Sequence, residues 1–339
     1  MREFYKFPEI EQFRQVVLNV RHRSFFIDLD ERGEPIYDES KEQPILRFRG
    51  TVKCHGTNSG IIFNGDDVYF QSRTQIIDIG NDNAGFVGFF NNKKSELLKL
   101  KELLGPTDEV VKIWGEWCGK SIQKGVAICD LDKMFVIFAI KIGEEWISDE
   151  KMKLIRNPEI KVMNILDYPT YQIDIDFNYP EKSLDELERI ALEIEAECPV
   201  GKSFGVTGVG EGVVFMTIDE DWKGSRYWMK VKGEKHRGTK NKKLVTVDAE
   251  KMNSVDEFVA AVLTESRLEQ GIDHLRLQGL GIDRKNLGLF LKWISGDIIK
   301  EESDTLAKSN LTEKDVNSKI SNIAKNWFFK KEEEIIFKK

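Results

Sequence analysis

Apolar and polar positions follow two different periods along this chain, and the change comes near residue 243. Before it, apolar residues often recur at every second position, the spacing typical of strands with one buried face. This alternation predicts strands at 45–54, 59–63, 67–73, 110–117, 134–142, 212–218 and 226–232. Apolar residues at helical spacing predict helices at 11–20, 95–104, 183–197, 255–268, 287–299 and 314–329.

This change of period places a domain boundary at 243–247. Strands and a few helices before it predict an α+β domain of residues 1–243, and helices alone after it predict a small all-α domain of residues 244–339. Residues 28–44 are charged and contain Gly33, Pro35 and Pro44, so we expect a loop or a surface hairpin there. Ser183 and Glu186 have the spacing of a capping box for the helix at 183–197.

Composition narrows the function classes. The chain has 339 residues, of which 40% are apolar and 32% charged. No apolar run approaches the roughly 20 residues that span a bilayer, and the first residues lack the apolar core of a signal peptide. The four cysteines have no C-x-x-C spacing, so we expect free thiols in a reducing compartment, the cytoplasm. The histidines form no H-E-x-x-H pattern, which argues against a zinc hydrolase.

Charge points to a local rather than a general affinity for anions. The net charge is −7, which argues against indiscriminate coating of nucleic acid. Residues 226–243, however, contain eight Lys or Arg and a single acid, Glu234. Such a stripe can neutralise phosphates, although a solvated loop is the plainer interpretation.

One run of residues suggests specific chemistry: Lys53-Cys54-His55-Gly56-Thr57-Asn58, at the end of the predicted strand 45–54. Further blocks follow it in order: Arg73, Trp114-Gly115-Glu116, the segment 135–138, Glu211-Gly212-Val213-Val214 and the segment 228–232. Together they resemble the motifs of covalent nucleotidyltransferases, the superfamily of DNA ligases, RNA ligases and mRNA capping enzymes. The form with His55-Gly56-Thr57-Asn58 is most similar to the phage RNA ligase 2 family, over about residues 5–235.

The resemblance implies that Lys53 attacks the α-phosphorus of a nucleotide and becomes covalently linked to AMP. A free lysine has a pKa of about 10.4, so the site is expected to depress the pKa of Lys53. Lys230 and Lys232 are alternate residues of one predicted strand and point to the same face. We expect both to converge on Lys53 and the phosphate, lower the lysine pKa and neutralise charge during transfer. Without the Lys53 motif, the solvent face of an edge strand would be the better interpretation.

Other positions acquire roles only through the resemblance. Asn58 is expected near the nucleotide or the incoming strand end, Arg73 at the nucleotide sugar or the RNA terminal hydroxyl, Glu116 at the ribose, Phe138 stacked on the base and Glu211 at a metal ion, with His55 as a further catalytic residue. The plainer alternatives are a turn histidine for His55, a surface arginine for Arg73 and a core aromatic for Phe138. The family often has Asp after this Phe, and Ala139 lacks that carboxylate, so its role is absent or supplied elsewhere.

A second apparent motif does not hold. The run from Gly115 to Ser121 looks like a phosphate-binding loop, but it has three residues between its glycines where the motif needs four. A kinase or ATPase assignment built on it therefore fails.

The resemblance implies an antiparallel-sheet nucleotidyltransferase (ATP-grasp-like ligase) domain, with the nucleotide between sheets, followed by a helical RNA-engaging domain. It implies an ATP- and Mg²⁺-dependent RNA ligase, a monomer with no membrane partner, that joins 3′-OH and 5′-phosphate RNA ends, such as those of a nicked duplex. A DNA ligase is expected to have Asp in place of His55, and both a DNA ligase and a GTP-dependent capping enzyme an added barrel domain. A non-catalytic RNA-binding module explains the basic stripe but not the correlated Lys53, Glu116, Glu211 and Lys232.

Overall fold

The computed structural model describes residues 2–236 and 251–336. The chain divides into two compact units, Met1–Gly233 and Glu234–Lys339. The boundary predicted at 243–247, and the part of the basic stripe from residue 237 onward, lie outside the described residues.

The first unit contains the strands, whereas the described residues of the second unit, 234–236 and 251–336, form helices and no strand. The strands are β1 (Phe26–Leu29), β2 (Pro35–Tyr37), β3 (Ile45–Val52), β4 (Thr57–Asn64), β5 (Asp67–Ser72), β6 (Ile76–Ile77), β7 (Val111–Cys118), β8 (Met134–Ile142), β9 (Glu145–Trp146), β10 (Val162–Asn164), β11 (Thr170–Asp176), β12 (Gly212–Thr217) and β13 (Met229–Lys232). The α-helices are α1 (Phe13–Phe25), α2 (Phe86–Phe90), α3 (Lys94–Glu102), α4 (Asp149–Met152), α5 (Leu184–Ala196), α6 (Pro199–Ser203), α7 (Val255–Val262), α8 (Glu265–Leu277), α9 (Leu287–Glu301), α10 (Ser303–Lys308) and α11 (Glu313–Ile336).

Two sheets form the framework of the first unit. A seven-stranded sheet has the order β10-β8-β7-β4-β5-β6, with β9 paired to β8. A four-stranded sheet has the order β11-β3-β12-β13. All of these pairs are antiparallel except β10 with β8, so the α+β class and the antiparallel sheets are confirmed.

Alternation along β3 explains how the four-stranded sheet is oriented. Leu46, Phe48 and Val52 are buried on one face, and α5 contacts the neighbouring strands β12 and β13. The opposite face of β3 carries Arg49 and Thr51, and the same alternation places Lys53 on it directly after the strand. Polar and reactive groups therefore share the face that the helix does not cover.

Helix ends show where local sequence signals succeed and fail. The helix predicted at 255–268 is two helices, because Thr264 caps α8 with a side chain that accepts the Arg267 N–H. The prediction of a capping box at Ser183 is wrong. A 3₁₀ turn over Pro180–Ser183 precedes α5, and Ser183 already has helical dihedrals and makes no side-chain cap.

The second unit has a core of its own. Helices α7, α8, α9 and α11 contribute buried apolar residues that include Phe258, Ile272, Phe290 and Phe328. Across the described parts of both units, no helix is both long and apolar enough to span a lipid bilayer.

Candidate active site

The Lys53 side chain lies at the junction of β3 and β12. Its backbone N–H donates to the carbonyl of Gly212 at 2.8 Å, which continues the ladder of the two strands by one residue. Gly212 has φ of 147°, and a Cβ there would come within 2.2 Å of the Val231 carbonyl oxygen. A glycine at this position therefore allows Glu211, Lys53 and the end of β13 to approach one another.

Three basic side chains from two separate motifs contact Glu211. Its Oε2 atom accepts from Lys53 Nζ at 2.8 Å and lies 3.1 Å from His55 Nδ1, while its Oε1 atom is 3.3 Å from Lys232 Nζ. We call these four residues the glutamate cluster. The Glu211 side chain is only 3% exposed, whereas the side chains of Lys53 and Lys232 are 24% and 25% exposed. The cluster thus has a buried acidic centre and basic groups that solvent can still reach.

The electrostatics of the cluster correct one expectation. Burial lowers the pKa of the Lys53 ammonium, but the carboxylates of Glu211 and Glu116 outweigh burial, so that the pKa is raised. The prediction of a depressed Lys53 pKa is therefore wrong for this state of the site. Lys232, expected to repel Lys53, binds the same carboxylate instead. A lysine acts as a nucleophile only as a neutral amine, so the Lys53–Glu211 ion pair holds Lys53 in its non-nucleophilic form.

The two carboxylates differ in their proton affinity. Burial raises the pKa of Glu211, but Lys53, Lys232 and His55 outweigh it and hold that pKa well below its usual range. Burial raises the pKa of Glu116 to about 7, with Lys53 opposing the rise and the charge of Glu211 adding to it. Glu116 also accepts the Gly56 backbone N–H at 2.9 Å. One acid is therefore fixed as an anion, and the other titrates near neutrality.

The turn after Lys53 is held by close packing. A Cβ on Gly56 would lie 2.2 Å from the Trp117 carbonyl oxygen, so the glycine is needed for space at its contact with β7. Gln123 Nε2 donates to the Gly56 carbonyl at 3.2 Å. Asn58 follows on β4 and is paired in register with Glu116 on β7. These contacts bring Asn58 and Glu116 side by side.

The remaining predicted residues lie in other surroundings. Lys230 lies on the same face of β13 as Lys232. Its backbone N–H donates to the backbone carbonyl of Glu11 at 2.9 Å. Arg73 follows β5, with its side chain 42% exposed and Nη2 3.9 Å from Glu9 Oε1.

Phe138 belongs to an aromatic cluster that we define as Phe7, Trp114, Phe138, Trp146 and Trp228. Trp114 pairs with Ala139 while Gly115 pairs with Ile137, so Phe138 is the extra residue of a β-bulge. Bulges redirect side chains, and this ring packs 5.1 Å from that of Phe7 while staying partly exposed. Ala139 is buried in the same apolar surroundings, at the position where the resemblance leads one to expect an acid.

Sequence reasoning missed two contributors. Phe7 is 2% exposed and contacts residues more than 100 positions away, so no local pattern indicates it. Asn83 precedes α2, and its Nδ2 donates to the hydroxyls of Thr57 and Ser59, both at 3.2 Å.

The donor set of Glu211 suits a divalent cation in type, since Mg²⁺ prefers carboxylate oxygen. Both oxygens, however, already face basic groups. No group of three or more His, Cys, Asp or Glu within residues 2–236 and 251–336 forms a metal site. A cation at Glu211 would therefore compete with Lys53, His55 and Lys232 for the carboxylate oxygens.

Comparison with known proteins gives one family match. A family model described as RNA ligase matches residues 47–232, more than half of the chain. That range begins on β3 and ends with Lys232, so it contains every residue predicted for the site.

Several solved structures are also similar. They include a Naegleria gruberi RNA ligase with pyrophosphate, at 18% identity over 68% of this chain and 56% of that chain, with a TM-score of 0.43. Mutants of the same ligase with ATP and Mn, and with AMP and Mn, are 14% and 16% identical over 67% and 68% of this chain and 55% and 56% of those chains, both with a TM-score of 0.43. The chain thus spans little more than half the length of the structures it matches.

Proposed function

Because the family match covers more than half of its residues, this chain belongs to the RNA ligase family, and we propose that it seals RNA ends at the expense of ATP. Lys53 is the proposed nucleophile. The observation that supports this best is the glutamate cluster, in which Lys53, His55 and Lys232, from two distant motifs, meet on the Glu211 carboxylate of a third.

The proposed reaction has three steps. The Lys53 amine, once it has lost a proton, attacks the α-phosphorus of ATP; a P–N bond forms and the bond to pyrophosphate breaks. An oxygen of an RNA 5′-phosphate then attacks the AMP phosphorus and displaces Lys53. Finally an RNA 3′-hydroxyl attacks the 5′-phosphorus, a phosphodiester forms and AMP leaves.

Specific side chains are assigned to these steps. Lys230 and Lys232 neutralise charge on the transferred phosphate from one face of β13. Glu116 and Asn58 are adjacent on β7 and β4 and are proposed to face the ribose and phosphate of AMP. Phe138 offers a partly exposed ring for the base, and Arg73 is proposed at the nucleotide sugar or the RNA terminal hydroxyl.

We propose that Glu211, which pairs with Lys53, also helps to bind a divalent cation, Mg²⁺. Such an ion supplies shielding of phosphate charge when it is bound. Glu211 can help to hold it only when the basic groups of the cluster release one of its oxygens.

A labelling experiment tests the function. The protein is incubated with Mg²⁺ and ATP or GTP labelled at the α-phosphate, and covalent label is measured after denaturation. Label from ATP alone is expected. Label from GTP favours a capping enzyme, and no label favours a non-catalytic RNA-binding module.

Sealing assays then define the substrate. We propose RNA with a 3′-OH and a 5′-phosphate, as in a nicked duplex, in an RNA-repair role for a cytoplasmic monomer. A panel of nicked RNA duplex, cleaved tRNA loop, open single strand and nicked DNA separates these cases. Preferential sealing of nicked DNA would favour the DNA ligase alternative.

We also propose that the helical unit engages RNA. All the residues assigned to nucleotide chemistry lie in the first unit, and residues 244–339 contain none of them. A chain truncated after Lys243 is therefore expected to form lysyl-AMP but to lose most binding and sealing of nicked RNA. Binding by the full chain should weaken as salt rises. Sealing by the truncated chain at the full-length rate would show that the helical unit is not required for RNA engagement.

A further inference from the structure

The loop 78–85 lies behind the start of β4. Asn83 of this loop donates from one amide group to two hydroxyls, those of Thr57 and Ser59, each at 3.2 Å. Thr57 and Ser59 flank Asn58 and, as alternate residues of a strand, point to the face opposite Asn58. One side chain thus fixes β4 on both sides of Asn58 from behind.

Asn58 faces away from Asn83 and towards the proposed ligand. Its register partner is Glu116, which in turn binds the Gly56 backbone. The Asn58 Oδ1 atom is shielded from solvent and makes no hydrogen bond within the described residues. A shielded amide oxygen without a donor costs free energy, and a ribose hydroxyl is a donor that would satisfy it.

The loop is a stiff support for Asn83. Ala84 has φ of 54°, which is unfavourable for a residue with a Cβ and persists only where the surroundings impose it. The Ala84 carbonyl accepts from Trp117 Nε1 at 3.1 Å and from Lys133 Nζ at 2.9 Å. The Asp82 carboxylate also accepts the Val87 N–H at 2.7 Å, at the start of α2. Contacts on both sides of Asn83 therefore fix its position.

We propose that Asn83 is a positioning residue that acts through Asn58. By holding the hydroxyls of Thr57 and Ser59, it sets the direction of the Asn58 carboxamide beside Glu116, where the ribose and phosphate of AMP would bind. This inference rests on the proposed function, since it assumes that Asn58 contacts the adenylate.

A double-mutant cycle tests it on the full chain. Single-turnover rates of lysyl-AMP formation, and of sealing pre-adenylated nicked RNA, are measured for Asn83→Ala, Asn58→Ala and the double variant. Asn83→Ala should slow at least one of these reactions about 10-fold and Asn58→Ala about 100-fold. The double variant should be no slower than Asn58→Ala alone, because Asn83 has nothing left to position. Rates are normalised to the burst amplitude, so that a loss of folded protein does not imitate a slower reaction.

Two further variants sharpen the test. Thr57→Val with Ser59→Ala removes both acceptors and should reproduce the Asn83→Ala rates. Asn92→Ala, at an exposed position shortly after α2, should match the wild type. Wild-type rates in Asn83→Ala, or a double variant about 10-fold slower than Asn58→Ala, would overturn the inference. A wild-type protein that neither takes AMP from ATP nor seals RNA would instead overturn the proposed function.

Discussion

Each unit of this protein contains a buried glutamate in an ion pair, and the two arrangements differ in what they permit. The Glu211 side chain of the first unit is 3% exposed, and the side chains of Lys53 and Lys232 around it are 24% and 25% exposed. Glu302 of the second unit is 2% exposed, and its partner Arg267, 3.6 Å away, is only 3% exposed. One cluster therefore has accessible cations, and in the other both partners are buried.

We infer from this difference which of the two buried ion pairs contains the proposed nucleophile. An arginine keeps its proton in any protein environment, whereas a lysine can be deprotonated and become a nucleophile. A buried ion pair alone is weak evidence for stability or for function. We therefore take the combination of a buried acid and part-exposed lysines as the mark of the proposed reactive cluster. We take Arg267 with Asp297 and Glu302, the Arg267 cluster, as structural.

Removal of Lys53 is the strongest test of this distinction. Lys53→Ala should reduce covalent labelling by ATP by about 10³-fold or more, because no other group replaces a covalent nucleophile. Sealing of ordinary 5′-phosphate ends should fail with it, while a pre-adenylated RNA should still be sealed slowly. Labelling after denaturation and gel-based sealing measure the two effects.

The control is Lys99→Ala, on an exposed face of α3, which should behave as the wild type. Undiminished AMP labelling of Lys53→Ala would sink the assignment of the nucleophile.

Arg267→Met tests the other side of the comparison. It removes the cation that Glu302 and Asp297 share, so the free energy of unfolding should fall by about 3–5 kcal/mol. Arg267 Nε lies 3.1 Å from Asp297, which also loses a partner. Thermal unfolding measures the loss, and AMP labelling per folded molecule, measured below the transition, should stay unchanged.

A matched variant separates charge from packing. Arg267→Met with Glu302→Met removes both charges and should recover much of the lost stability. A fall in AMP labelling of the folded Arg267→Met protein would contradict a purely structural role for this cluster.

Glu211→Gln tests the reactive cluster at its centre. The amide keeps the shape of the carboxylate but loses the charge that attracts Lys53, Lys232 and the proposed metal. Lysyl-AMP formation should slow by roughly 10–100-fold, and half-saturation should move to higher Mg²⁺ concentration. A metal titration curve that coincides with that of the wild type would show that Glu211 has no metal role.

Much of the framework could be predicted from alternation alone. Strand β8 occupies the predicted residues 134–142, and β3, β5, β7 and β12 are within two residues of their predicted ends. Strand alternation is a local property and is readable wherever one face is buried. Strand β10 could not be predicted in this way, because its parallel pairing with β8 depends on a distant partner.

The site was predictable to the extent that its motifs are continuous in sequence. Lys53, Glu211 and Lys232 meet in space, although nothing local to any of them requires it. The direction in which the Lys53 pKa shifts could not be inferred, because it depends on how near the Glu211 and Glu116 carboxylates lie. The bulge at Phe138 and the contacts of Asn83 depend on register between strands, which residue spacing does not encode.

The smallest expected effect concerns Glu116, the acid of the site whose pKa is raised to about 7. Its ordinary value is 4.5, so between about pH 4.5 and 7 the folded protein binds more protons at this residue than the unfolded chain does. Its contribution to stability is therefore greatest below pH 4.5 and is lost as pH rises through 7. Lys53 lowers the pKa of Glu116 and Glu211 raises it, so these two effects partly cancel. The free energy of unfolding should therefore change by on the order of 1–3 kcal/mol over this range.

Glu116→Gln should remove this dependence while keeping an acceptor for the Gly56 N–H. The measurement is the difference in unfolding temperature between wild type and variant from pH 4.5 to 7.5. The effects of other titrating groups largely cancel in that difference. As pH rises, the unfolding temperature of the variant should therefore increase relative to that of the wild type. Glu211 has the opposite shift, and its contribution is lost only as pH falls below 4.5, outside this window. The exposed substitution Glu102→Gln is the control, and a constant difference across the range for Glu116→Gln would show that this carboxyl is not held protonated by burial.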